Sequence, residues 1–146
     1  MARKIFVNLP VKDLDRTVSF FKELGFEFNP QFTDEKAACM IISEESYIML
    51  LVEPFFKTFT GKEIADTSKT TEVITCLSAD SKTEVDKLAD KALASGGRPF
   101  REPKDHGFMY ERSFQDPDGH LWEVMWMDVA AIPENAHVSE VTISNN

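Results

Sequence analysis

One carboxylate of this chain sits where a carboxylate is costly. The stretch Gln-Asp-Pro-Asp-Gly-His-Leu-Trp-Glu-Val-Met-Trp-Met runs from Gln115 to Met127. Pro117 presets the φ of a tight turn, and Gly119 supplies a position without steric penalty. From Leu121 the chain reads as a strand. Alternation puts Leu121, Glu123, Met125 and Met127 on one face, and Trp122, Val124 and Trp126 on the other. Both faces are mostly apolar, so the strand is expected to be buried on both sides with Glu123 in its middle. Burying a lone carboxylate costs on the order of several kcal/mol unless a partner compensates, and Arg112 and Arg101 are the candidate partners. Apolar surroundings also push a carboxyl pKa towards neutrality, where it suits a general base. Glu123 is therefore the candidate catalytic residue.

The other reactive residue types are sparse. There are three histidines, His106, His120 and His137, and two cysteines, Cys39 and Cys76. His106, between Asp105 and Gly107, reads as a solvated loop residue, and His120 as part of the turn. The cysteines lie in apolar segments and form no spaced metal motif. They read as buried thiols of a reducing compartment, so a cytoplasmic protein is expected. The formal net charge of −9 opposes binding to nucleic acid or an anionic membrane, both of which need Lys and Arg against phosphate. No apolar run reaches the ~20 residues that span a bilayer, and Met1-Ala2-Arg3-Lys4 does not open a signal peptide. A small molecule is the expected partner.

These residues must be positioned by regular elements. Lys4 to Val11 reads as a strand ending near Pro10. Asp13 is a helix N-cap before Leu14, Thr17, Val18, Phe21 and Leu24 at helical spacing, stopped by Gly25. Three short strands are expected next, at 27–32, 37–43 and 46–53, with polar separators of hairpin length. Residues 54–71 break the pattern, with Phe55, Phe56 and Phe59 crowding the start. The order then repeats. A strand at 72–78 precedes Ser81-Lys82-Thr83-Glu84, a capping box. Val85, Leu88, Ala89, Ala92 and Leu93 form a helical stripe closed by Gly96-Gly97. Strands are expected near 98–101, at 107–114 and at 120–127. The chain thus reads as one α+β domain over 1–128. It is built from two β-α-β-β-β modules, 3–53 and 72–128, joined by linker 54–71. A tail follows at 129–146.

This tandem order carries Leu-Pro-Val-Lys-Asp-Leu-Asp-Arg-Thr-Val-Ser-Phe-Phe early and Asp-Pro-Asp-Gly-His-Leu-Trp-Glu late. In these features the chain resembles the vicinal-oxygen-chelate superfamily of glyoxalase I, bleomycin- and fosfomycin-resistance proteins and extradiol dioxygenases. It is most similar to small bacterial predicted lactoylglutathione lyases (glyoxalase-like proteins). The resemblance covers roughly residues 3–128. It implies curled mixed sheets forming a cup, with metal ligands on the first and last strand of each module. Such a metal acts as a Lewis acid on two neighbouring substrate oxygens.

Carried over position by position, the last-strand ligand of the second module falls on Glu123. The other three positions fall on Phe6, Ile74 and Met49, all apolar. A two-residue shift gives Asn8 and Cys76, which do not complete the three protein ligands of a catalytic zinc or the two-histidine, one-carboxylate set of non-haem iron. No metal or other cofactor is expected. The leading reading is a small-molecule binder whose cup is lined by Phe6, Asn8, Met49, Leu51, Ile74, Cys76, Tyr110 and Glu123. The alternatives are a lyase/isomerase or dioxygenase-type enzyme using Glu123, and a structural or interaction protein whose cup is packed shut. The resemblance and the Phe55–Phe59 cluster point to a homodimer.

Overall fold

The structure, a computed structural model, describes residues 2–131. Its order is β1 (Ile5–Val11), α1 (Leu14–Glu23), β2 (Glu27–Phe28), β3 (Ala37–Ile41), β4 (Ser46–Val52), α2 (Glu53–Lys57), β5 (Ile74–Ser78), α3 (Lys82–Ala94), β6 (Lys104–Asp105), β7 (Met109–Gln115) and β8 (Leu121–Met127). The two sheets have strand orders β1-β4-β3-β2 and β5-β8-β7-β6. In each, the first strand of the module pairs in parallel with its last, and the other pairs are antiparallel. The α+β class and the duplicated β-α-β-β-β order thus hold.

Local chemistry explains the element ends. Asp13 caps α1 by accepting the Arg16 N–H at 3.1 Å, and Ser81 caps α3 by accepting that of Glu84 at 3.1 Å. The Glu84 carboxylate reaches back one residue further than a capping box requires, to the Asp80 N–H at 2.7 Å. Three expectations need correction. The 27–32 strand stops at Phe28, because Asn29 caps a single 3₁₀ turn over Pro30–Phe32. Residues 98–101 form only a bridge, Arg98 with Gln115; Pro99 and Pro103 bracket that segment and lack the N–H a ladder needs, so the short edge strand falls at Lys104–Asp105. The linker opens with the helix α2, which Pro54 favours in its first turn. Most of the 129–146 tail lies outside the described residues; its start is a 3₁₀ turn at Val129–Ala131.

Each sheet has a helix-bearing face and a helix-free face, and one core joins the two helix-bearing faces. Leu9, Val11, Ile48 and Leu50 of the first module share it with Leu77, Phe114, Trp122 and Val124 of the second. Helix α1 stitches them: Phe21 lies 5.0 Å from Trp122 and Phe20 lies 6.0 Å from Phe114 between ring centroids. Burial at this seam is worth roughly 1.5–3 kcal/mol per large apolar side chain.

Candidate functional site

The helix-free faces carry the chemistry, and they differ. On the first sheet, strand register aligns Asn8 with Met49 and Met49 with Cys39. Phe6 stacks on Tyr47 with centroids 4.9 Å apart. On the second sheet, the equivalent row is Cys76, Glu123 and Ser113. Alternation adds Glu111, and across from it Met125.

Glu111 and Glu123 are 2% and 5% exposed. Both are ion-paired to one guanidinium: Arg101 Nη2 donates to Glu111 at 2.6 Å and also to Glu123. The residue enters from the segment between α3 and β6, and its guanidinium lies over the Phe100 ring, 5.3 Å from the centroid. Two buried carboxylates thus share one guanidinium at the centre of an otherwise mostly apolar face. Buried charges so arranged are compensated rather than cheap. Of the two arginines considered for Glu123, Arg101 is the partner. Arg112 lies on the opposite face, bonding Asp90 at 2.7 Å and Asp86 at 3.1 Å.

Cys76 sits beside this triad. Cys76 is exposed rather than the buried thiol expected; desolvation, then the charges of Glu123 and Glu111, push its thiol up to about 12. It is a neutral thiol near pH 7, able to donate to Glu123 but not to act as a nucleophile. Ser113 Oγ is buried and has no hydrogen-bond partner among the described residues.

Of the residues expected to line a pocket, Phe6, Asn8, Met49 and Leu51 share the first helix-free face, and Ile74, Cys76 and Glu123 share the second. Leu51 is covered, at 2% exposure. Tyr110 does not belong with them. It pairs across the ladder with Trp126 on the helix-bearing face, and its hydroxyl donates to Asp86 of α3 at 2.6 Å. Glu111, one residue further, is the side chain that points to the site. The two faces are open at their outer strands: Phe6 is 51% exposed and Ile74 48%.

The family-type metal does not fit these residues. Three of its four ligand positions are Phe6, Ile74 and Met49, and the remaining carboxylate is engaged by Arg101. Among the described residues no group of three or more His, Cys, Asp or Glu could hold a metal ion.

The Asp-Pro-Asp-Gly turn has a different task, which the sequence did not disclose. The buried Asp116 carboxylate accepts the N–H groups of Asp118 (2.9 Å) and His120 (3.0 Å) and the Trp122 indole N–H (3.0 Å). Asp118 reaches into the first module, accepting the Lys12 N–H at 2.8 Å and the Thr17 hydroxyl at 2.6 Å, with Arg16 at 3.3 Å. His120 is buried, and its Nε2–H donates to the Pro10 carbonyl at 2.7 Å. His106 is exposed in its loop, and His137 lies outside the described residues.

Comparison with known proteins agrees with this architecture. The hypothetical protein SA1046 from S. aureus is similar, with 27% identity and a TM-score of 0.72, the match covering 86% of this chain and 95% of that one. A glyoxalase/bleomycin resistance protein/dioxygenase family enzyme from Burkholderia phytofirmans PsJN is 18% identical at TM-score 0.73, covering 86% and 99%. A lactoylglutathione lyase from Agrobacterium tumefaciens is 18% identical at TM-score 0.64, covering 86% and 94%. Identities this low carry the fold and not the reaction. No curated protein sequence matches. The family model described as Glyoxalase/Bleomycin resistance protein/Dioxygenase superfamily matches residues 5–124, and with the paired β-α-β-β-β sheets this places the chain in that superfamily.

Proposed function

We propose that the protein binds a small molecule on the helix-free face of its second sheet, around Glu123 and Arg101, without the metal centre typical of its superfamily. A second copy of the chain closes the site. The observation that carries this reading is a buried ion triad at the centre of a mostly apolar face that, among the described residues, is open at its outer strand. Ligand pockets combine apolar walls with a few fixed polar groups in this way. The half-exposed Phe6 and Ile74 favour coverage by another molecule, and Phe6, Asn8 and Met49 of the second copy would supply the facing wall. Met49 and Met125 lend such a pocket adaptability. The Glu123 carboxylate favours a ligand that presents a cation or hydrogen-bond donors to it.

The enzymatic alternative uses Glu123 as a general base. Its engagement by Arg101 argues for recognition over turnover, and Glu123→Gln should abolish any lyase or isomerase activity found. Two free cysteines fit a reducing compartment, the cytoplasm. Among the described residues no helix is long and apolar enough to cross a membrane.

Three measurements test the reading. Calorimetry of tag-free protein with Ni²⁺, Zn²⁺ or Fe²⁺ should give no stoichiometric binding; micromolar affinity would overturn the metal-free assignment. Sedimentation should give a dimer at micromolar concentration, and a monomer would remove the shared site. Benzylamine, an aromatic cation, should bind the wild type more tightly than Glu123→Gln, and equal affinities would remove Glu123 from recognition.

A further inference from the structure

A second feature of the same face lies at its end nearest the Asp-Pro-Asp-Gly turn. A cleft of about 560 Å³ is bounded by the linker segment Thr67–Thr71, the Arg98–Phe100 segment, Gln115 and Leu121. Its lining includes two cations, Lys69 and Arg98, and, among the described residues, no carboxylate. That is unusual in a chain of formal charge −9. Among the described residues neither cation belongs to an ion pair.

The walls are held in place. Arg98 exchanges two backbone hydrogen bonds with Gln115, at 3.0 and 2.6 Å. The preceding Gly97 permits that approach, since a Cβ there would lie 2.8 Å from the Ala92 carbonyl oxygen and 2.9 Å from that of Gln115. On the other side, the Thr67 hydroxyl donates to the Asp118 carbonyl at 2.5 Å. The Lys69 and Thr70 N–H groups donate to the Asp66 carbonyl at 2.9 and 2.8 Å. Both cations therefore sit on anchored backbone beside the apolar Phe100 and Leu121.

From these observations we infer that the cleft is an oxyanion subsite, and that the ligand of this face is a small organic acid whose carboxylate or phosphate lies between Lys69 and Arg98. The inference rests on the reading of this face as a binding surface. Leu121 and Glu123 are two residues apart on one strand face, so the cleft and the ion triad are separated by roughly 7 Å. A ligand bridging them carries its anion at one end and hydrogen-bond donors or a cation at the other, as in an amino acid or a hydroxy acid. The apolar lining favours an aromatic or aliphatic body next to the anion.

The test is an NMR titration with phenyl phosphate at fixed ionic strength, with inorganic phosphate and neutral benzyl alcohol alongside. Phenyl phosphate should cause saturable shifts at the amides of Lys69, Arg98 and Leu121. Inorganic phosphate should act more weakly at the same amides, and benzyl alcohol should leave them unmoved. Arg98→Gln and Lys69→Gln should each weaken phenyl phosphate by about fivefold, the upper range for one exposed charge contact. Their melting temperatures should stay at the wild-type value, because both side chains are exposed. Unchanged affinity in both variants, or equal shifts with benzyl alcohol, would overturn the subsite. Glu123→Gln should retain the phosphate response while losing benzylamine, so the failure of one site is distinguishable from the failure of the other.

Discussion

The two modules share one topology but use their equivalent hairpins in opposite ways. In the second module, the turn between β7 and β8 grips the first module through Asp118 and His120. In the first module, the turn between β3 and β4 closes mainly on itself: Ser43 Oγ lies 2.6 Å from Ser46 Oγ and accepts the N–H groups of Glu45 and Ser46 at 3.2 and 3.1 Å. It borders a cleft of about 470 Å³ that also includes Cys76, Ser78 and Glu84 of the second module. The helix-free faces diverge in the same sense, Met49 standing where Glu123 stands. A duplicated fold has two equivalent places for each device and needs only one of each. Here both the clamp and the charged centre belong to the second module.

The largest effect that probes this difference is expected at Arg101. Arg101→Met removes the guanidinium that the buried Glu111 and Glu123 share and should cost about 3–5 kcal/mol, measured by denaturant unfolding. A loss below about 1 kcal/mol would mean that the carboxylates find water or one another without it. The hairpin contrast is tested by Asp116→Ala, which strands three buried donors and should cost about 3 kcal/mol, at roughly 1 kcal/mol or more for each. Ser43→Ala, at the corresponding exposed turn, should stay within about 0.5 kcal/mol. Similar losses at the two turns would erase the asymmetry.

A third prediction reads the charged face through its thiol. At pH 8 Cys76 should react slowly with iodoacetamide, because its thiol is held near 12. Glu123→Gln removes one of the raising charges and should accelerate alkylation; an unchanged rate would sever the thiol from the carboxylate. The smallest effect concerns Tyr110, whose hydroxyl is pushed from 10.0 to about 12 by burial and by its bond to Asp86. A folded-state pKa above the unfolded one means stability is fully present below pH 10 and is lost as pH rises towards 12. Tyr110→Phe should flatten the stability profile in that window relative to wild type.

Much of this architecture was legible in the sequence, because it rests on short-range periodicity. The Asp13 and Ser81 caps, the two helical stripes and the alternation around Glu123 each declare themselves within a dozen residues. The partner of Glu123 was narrowed to two arginines, since either lies within reach in sequence; only strand register separates them, putting Arg112 with the helices and Glu111 with the site. The same parity removes Tyr110 from the lining. The roles of His120 and Asp118 are not legible locally, because their partners, Pro10, Lys12 and Thr17, lie about a hundred residues away and no local pattern encodes such contacts. The cleft escaped for a related reason: Lys69 and Arg98 line one cleft only once the linker and the segment before β6 lie side by side.

The clamp also has a consequence for how the chain is made. Lys12 and Asp118 are 106 positions apart. During synthesis, β1 to β4 can assemble as soon as they emerge, but the corner between β1 and α1 waits until Asp118 has been made before its last hydrogen bonds form. Contacts of such long sequence separation are slow to close, and domains tend to fold from the N-terminus as they are made. The first module is therefore expected to exist for a time as a loosely cornered nascent unit, with Phe20 and Phe21 uncovered, and the second module acts as its latch.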